Sequence, residues 1–102
     1  MRPDASELIK KLEYEYDQGE GFLGLLRSGR FSAPAAARFR RLLQAVDPGD
    51  EGVIDRRVVA LLWYVPLIMQ WQEPRLSRPD AESMRRTLEW VTAELERILG
   101  VP

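Results

Sequence analysis

The stretch VVALLWYVPLIM, residues 58–69, is an unbroken apolar run in a chain of which 30% of the residues are charged. A helix needs roughly 20 apolar residues to cross a bilayer, and this run is shorter and follows the charged residues Asp55, Arg56 and Arg57. We therefore expect a helix inside a globular domain and no membrane contact.

Pro66 stands inside this apolar run and predicts a kink, because proline removes a helix hydrogen bond and clashes with the preceding turn. A helix that is apolar all round is usually buried on all sides. The run thus predicts a central helix, kinked at Pro66 and largely enclosed by its neighbours. The alternative is that part of its surface, foremost Met69 and Trp71, contacts a partner.

The remaining helical signals flank this central helix. Apolar residues at helical spacing predict helices over 3–18, 32–46 and 77–99, with a shorter one over 21–29. Ser32, Asp55 and Ser77 are suitable N-caps, and Gly100 is a suitable terminator of the last helix. A length of 102 residues suits one domain. The predicted fold is all-α, a compact single-domain bundle of four to five helices over residues 1–102.

The composition excludes most enzyme classes. The chain has no cysteine and no histidine, which removes nucleophilic thiols, the commonest general base and the usual zinc ligands. We expect no enzymatic activity, no cofactor and no metal site. The N-terminal residues lack the apolar core of a signal peptide, so the expected location is cytoplasmic.

An acidic group surrounds two tyrosines in EYEYDQGE, residues 13–20. In a continuing helix, Glu13, Asp17 and Glu20 would be spaced i, i+4 and i+7 and would form one negative ridge. The ridge is either a solvated helix face or a surface for a basic partner. A catalytic carboxylate pair is disfavoured, because such pairs need two different environments.

Two aromatic residues point away from the apolar stripes of their own helices. The segments RPDASELIKKLEY at 2–14 and RPDAESMRRTLEW at 78–90 align without a gap and pair Tyr14 with Trp90. The similarity reflects either two helix starts of the same type or a duplication. Lys10 and Arg86, four residues before each ring, can lie along it. Each aromatic is either an interface anchor or packing between helices.

Residues 21–46 contain five arginines and no acidic residue. Arginine binds phosphate well, so Arg27, Arg30, Arg38 and Arg41 are candidate nucleic-acid contacts. The acidic segments on both sides weaken an extended positive field, and the net charge of the chain is −1. A nucleic-acid-associated regulator is therefore an alternative function, with nucleic acid an unlikely partner.

The segments YEYDQGEGFLGLLRSGRF and LLWYVPLIMQWQ, within residues 14–72, resemble small all-helical bacterial immunity proteins. The resemblance implies a cytoplasmic inhibitor that covers the active site of a cognate toxin, often with acidic residues against a basic cleft. The main hypothesis is therefore a non-enzymatic module for one protein partner, such as a toxin domain. Its predicted contacts are Glu13, Tyr14, Asp17, Glu20 and Trp90. A homo-oligomeric structural module that uses Trp90 is a further alternative.

Overall fold

The computed structural model describes residues 5–48 and 54–102, and its regular structure within these ranges is entirely helical. The predicted all-α bundle is confirmed. The helices are α1 (Ala5–Tyr14), α2 (Phe22–Arg27), α3 (Ala33–Gln44), α4 (Arg56–Trp63), α5 (Val65–Gln72) and α6 (Arg78–Leu99), with a 3-10 turn at Glu73–Arg75. Since α4 and α5 are two halves of one kinked helix, the described chain forms five helical rods. The predicted start of the first helix at residue 3 lies outside the described residues.

The three predicted N-caps are confirmed. The side chain of Ser32 accepts the Ala35 amide, that of Asp55 accepts the amides of Arg57 and Val58, and that of Ser77 accepts the Asp80 amide. Each cap satisfies backbone N–H groups that have no partner within their own helix. Gly100 ends α6 with φ at +86°, a conformation that glycine adopts without steric cost.

The first helix ends at Tyr14, four residues before its predicted end at 18. The chain then makes tight turns, and the Glu15 carbonyl accepts the amides of Leu23 (2.8 Å) and Gly24 (3.2 Å) from α2. Gly24 permits this approach, because a Cβ at this position would lie 1.7 Å from the Asp17 carbonyl oxygen. Packing of the loop on α2 therefore overrides the helical periodicity of residues 15–18.

The central helix is kinked, as predicted from Pro66, and its two halves contact α1, α2 and α6. The predicted burial of this helix holds for its side toward the core. Within residues 58–69 the buried side chains are those of Val58, Leu61, Leu62, Val65 and Met69. Trp63 and Trp71 are exposed, so Trp71 is a surface residue as the alternative required, whereas Met69 belongs to the core. The side of this helix that carries Ala60, Trp63 and Trp71 faces solvent.

Phenylalanines and polar contacts fix α3 in the bundle. Phe22 stacks on Phe39 at 5.4 Å and meets Phe31 edge-on at 6.0 Å between ring centroids. Arg97 of α6 donates to the carbonyls of Leu43 and Val46 at the end of α3. These contacts satisfy otherwise open carbonyls and join α3 to α6.

None of the described helices is both long and apolar enough to traverse a bilayer.

Candidate protein-binding surfaces

The predicted acidic ridge does not form as a helix face. Because α1 ends at Tyr14, Asp17 and Glu20 lie in the following loop. The Asp17 carboxylate accepts the amides of Gly19 (3.1 Å) and Glu20 (3.0 Å), and the Glu20 carboxylate accepts the Tyr14 hydroxyl at 2.6 Å. Glu13 remains on α1, 3.6 Å from Arg57. All three carboxylates are exposed, but two of them are engaged in local loop structure.

A fourth carboxylate, that of Glu15, is buried with 1% of its surface exposed. Its two oxygens accept the Nε (2.9 Å) and Nη2 (2.7 Å) of Arg38, and Oε1 also accepts the Phe22 amide at 3.0 Å. We call this arrangement of Glu15, Arg38 and the Phe22 amide the junction. It links the end of α1, the start of α2 and the middle of α3.

The sequence contained a signal for this burial. Leu8, Leu12 and Glu15 are spaced i, i+4 and i+7, so in a continuing helix Glu15 would extend the apolar stripe of α1 toward the core. A lone carboxylate on such a stripe predicts a cationic partner, since a buried charge must be paired. Nothing in the local sequence identifies Arg38 as that partner.

The cations beside the two predicted aromatic contacts come from α3 and not from their own helices. The Arg38 guanidinium lies 5.1 Å from the ring centre of Tyr14, and that of Arg40 lies 5.2 Å from the ring centre of Trp90. The sequence suggested Lys10 and Arg86 as the cations beside these rings, whereas the cation–π contacts of the structure are made by two arginines of α3. Trp90 is half-buried against the core, which corresponds to the packing alternative for this residue.

Two pKa shifts reflect these contacts. The hydrogen bond to Glu20 raises the pKa of the Tyr14 hydroxyl, because the carboxylate accepts from the neutral phenol. The bond to Glu15 raises the pKa of the Arg38 guanidinium. Both groups are thereby held in the protonated state that donates hydrogen bonds.

The arginines of residues 21–46 are used for different purposes. Arg38 is paired at the junction, and Arg40 lies over Trp90. Arg41 lines a groove between α1 and α3, whereas Arg27 lines a separate polar pocket with Arg75. Arg30 is exposed between α2 and α3. Of the four candidate nucleic-acid contacts, Arg38 and Arg41 line the same groove, Arg27 lines another pocket, and Arg30 lines neither.

An exposed aromatic cluster, which the sequence did not single out as a whole, spans the kink between α4 and α5. Trp63 is 51% and Trp71 56% exposed. Tyr64 lies between them, with its ring centre 4.7 Å from that of Trp63 and 5.6 Å from that of Trp71, both edge-to-face. We call these three residues the aromatic patch. Trp and Tyr dominate the energetics of protein interfaces, and clustered exposed aromatics mark such sites.

A second concave surface is the groove between α1 and α3, with a volume of about 560 Å³. Four cations and one carboxylate line it, together with apolar surface from both helices. The lining side chains are those of Lys10, Lys11, Tyr14, Glu15, Arg38, Arg41, Leu42 and Ala45. We call this surface the basic groove.

Among the residues that the structure describes, no three acidic side chains come close enough to hold a metal ion.

Comparison with family models, curated proteins and solved structures finds no match to this chain. Its function is therefore inferred from the chemistry of its own surfaces.

Proposed function

We propose that this chain is a non-enzymatic protein-binding module and that the aromatic patch is the centre of its interface. The observation that carries the proposal is the half-exposed state of Trp63 and Trp71 on either side of Tyr64. Contact between water and the apolar surface of two exposed indoles is unfavourable in free energy. Burial of these rings against a partner releases ordered water from a large apolar area.

The geometry of the patch favours tight binding. The edge-to-face contacts with Tyr64 restrict both indoles before a partner arrives, so little side-chain entropy is lost on association. Glu13 and Arg57 line a shallow groove beside Tyr64 and supply charged groups at the border of the patch. An aromatic centre with a polar border is the usual composition of a specific interface.

The proposed partner is a toxin domain, in keeping with the resemblance of residues 14–72 to immunity proteins. The lack of histidine and cysteine supports an inhibitor that acts by occlusion and not by chemistry. Among the predicted contacts, Glu13 is the one beside the aromatic patch. In this proposal Glu13 is part of the interface, and Asp17 and Glu20 maintain the loop that follows α1.

The test is affinity capture from the native host after nuclease treatment, with a Trp63→Ser/Trp71→Ser double variant in parallel. Val101→Ser is the matched control, because Val101 is 68% exposed and lies outside the patch. We expect one near-stoichiometric protein with the wild type and with the control, and its loss with the double variant. Co-expression of a captured toxin should then be tolerated only with the wild type and the control.

Equal capture by the wild type and the double variant would contradict the proposal. Light scattering on both proteins tests the homo-oligomer alternative directly. A wild-type dimer that dissociates in the double variant would identify the patch as a self-association surface.

A further inference from the structure

The basic groove is a surface that the aromatic patch does not explain, and the two share no residue. Its walls are α1 and α3, which pack mainly against α4 and α6 respectively. The Glu15–Arg38 pair joins the two helices where α1 ends. Beyond this pair, Lys10 and Lys11 line the groove from α1, and Arg41 and Ala45 line it from α3. The lining runs from Arg38 to Ala45 along α3, so the channel is about 10 Å long at the helical rise per residue.

The charge of the groove is opposite in sign to that of the whole chain. Four cations against one carboxylate give a formal charge of +3, while the chain carries −1. The structure shows no ion pair for Lys10, Lys11 or Arg41 with any described residue. Like charges gathered around one channel repel each other, so a ligand that brings carboxylates there relieves this repulsion.

The groove also offers apolar surface, which we call its floor. Leu42, which is half-buried, provides it together with the exposed side chains of Ala45 and Tyr14, and the cationic side chains form what we call the rim. Inorganic anions or a polyanion would pair with the cations of the rim but would leave the apolar floor in contact with water. A ligand that fits the whole groove needs apolar groups on one side and carboxylates on its flanks.

We infer that the basic groove binds an acidic amphipathic helix of a partner protein. Such a helix places its apolar stripe on Leu42 and Ala45 and its flanking carboxylates within reach of Lys10, Lys11 and Arg41. A channel between two helices is the geometry in which a third helix packs. Charge complementarity speeds the encounter, and the apolar floor selects against unstructured polyanions.

The test uses fluorescence anisotropy with a stapled helical peptide matching the length of α1, with leucine at every third or fourth position and glutamate elsewhere. Ala45→Trp fills the apolar floor, and Lys11→Glu/Arg41→Glu reverses the rim. We expect each to weaken binding about tenfold or more, equivalent to about 1.4 kcal/mol. Arg30→Glu is the matched charge control, since Arg30 is exposed and does not line the groove, and it should bind within about twofold of the wild type.

Two control peptides separate the components of the interaction. Replacing glutamate by glutamine tests the charge, and replacing leucine by serine tests the apolar stripe; both should bind about tenfold more weakly than the parent. Circular dichroism tests whether each protein variant is folded. If Ala45→Trp does not fold, Lys11→Glu/Arg41→Glu still tests the inference.

Three results would overturn the inference. The first is no binding of the parent peptide to the folded wild type. The second is equal binding of the serine-substituted peptide, which would indicate a merely cationic surface. The third is an equal loss of affinity with Arg30→Glu, which would place the binding on the arginine-rich segment as a whole, as a nucleic-acid surface would.

Discussion

The junction and the aromatic patch are opposites in their chemistry. At the junction a carboxylate is buried, with Glu15 1% exposed, whereas in the patch two indoles are more than 50% exposed. Both depart from the usual distribution of charged and apolar residues. The buried charge is fully compensated inside the molecule by Arg38 and the Phe22 amide. The exposed apolar surface is not covered by any described part of the chain, so the junction is a structural feature and the patch is a candidate for function.

The difference has an energetic meaning. A buried ion pair contributes little net stability compared with apolar packing, but removing one partner leaves the other uncompensated. The junction therefore specifies where α1 ends and how α2 and α3 are placed. The patch contributes less to folding than a core of the same size, because its indoles keep about half of their contact with water. Four substitutions test this division, with expected effects on stability that decrease in order.

Gly24→Ala should have the largest effect. The new Cβ would lie 1.7 Å from the Asp17 carbonyl oxygen, so the loop next to the junction must separate from α2. Overpacking against backbone is expected to cost about 3 kcal/mol or more in the free energy of unfolding. Chemical denaturation measures this against Gly19→Ala, whose Cβ would lie 3.5 Å from an Asp17 carboxylate oxygen. Similar losses for the two variants would contradict close packing at Gly24.

Glu15→Gln should cause the second-largest loss in the free energy of unfolding. It removes the charge that compensates Arg38 while keeping the size of the side chain, and breaking a buried pair costs roughly 3–5 kcal/mol. The Arg38 side chain is 39% exposed, so we expect about 2–3 kcal/mol. Glu13→Gln is the matched control two residues earlier, near the end of α1. Its ion pair with Arg57 is exposed on both sides, and its loss should change stability by less than about 1 kcal/mol.

Tyr16→Phe should have a smaller effect at neutral pH. The Tyr16 hydroxyl donates to the Leu61 carbonyl and thereby ties the loop after α1 to α4. Loss of this hydrogen bond is expected to cost about 1 kcal/mol. Thermal or chemical unfolding at pH 7 measures the difference. No change would mean that the loop is held by the junction alone.

The same substitution has a signature at alkaline pH. Burial raises the pKa of Tyr16 from its usual 10.0 to about 12, so the folded state favours the neutral phenol. Its contribution is complete below pH 10 and is lost as the pH rises toward 12, because the unfolded chain ionises first. The wild type should therefore lose stability more steeply than Tyr16→Phe across this interval. Parallel pH profiles would contradict the burial of the hydroxyl.

Trp71→Ser should have the smallest effect on folding, at most about 1 kcal/mol, because the indole is 56% exposed and mainly loses its edge-to-face contact with Tyr64. Partner binding should nevertheless fall more than for any junction variant that remains folded, because interface energy concentrates in such aromatics. Unfolding and capture experiments on one preparation separate the two quantities. A loss of stability as large as that of Glu15→Gln would place Trp71 in the fold and not in the interface.

The positions of the helix caps and the kink could be predicted from the sequence because they depend on neighbouring residues. Ser32, Asp55 and Ser77 each bond to an amide two or three residues ahead, and Pro66 acts on its own helix turn. By contrast, the acidic ridge failed as a prediction. Its spacing assumed that the helix continued past Tyr14, and hydrogen bonds from α2 to Glu15 ended it there.

The sequence by itself determined an all-α fold and the residues that start its helices. Helical periodicity and capping act within a few residues, so they are readable without a structure. Only the tertiary structure decided that Glu15 pairs with Arg38, 23 positions away, and that α3 supplies the cations at Tyr14 and Trp90. It also decided which side of the 58–69 helix is exposed, because that depends on where α1, α2 and α6 pack against it.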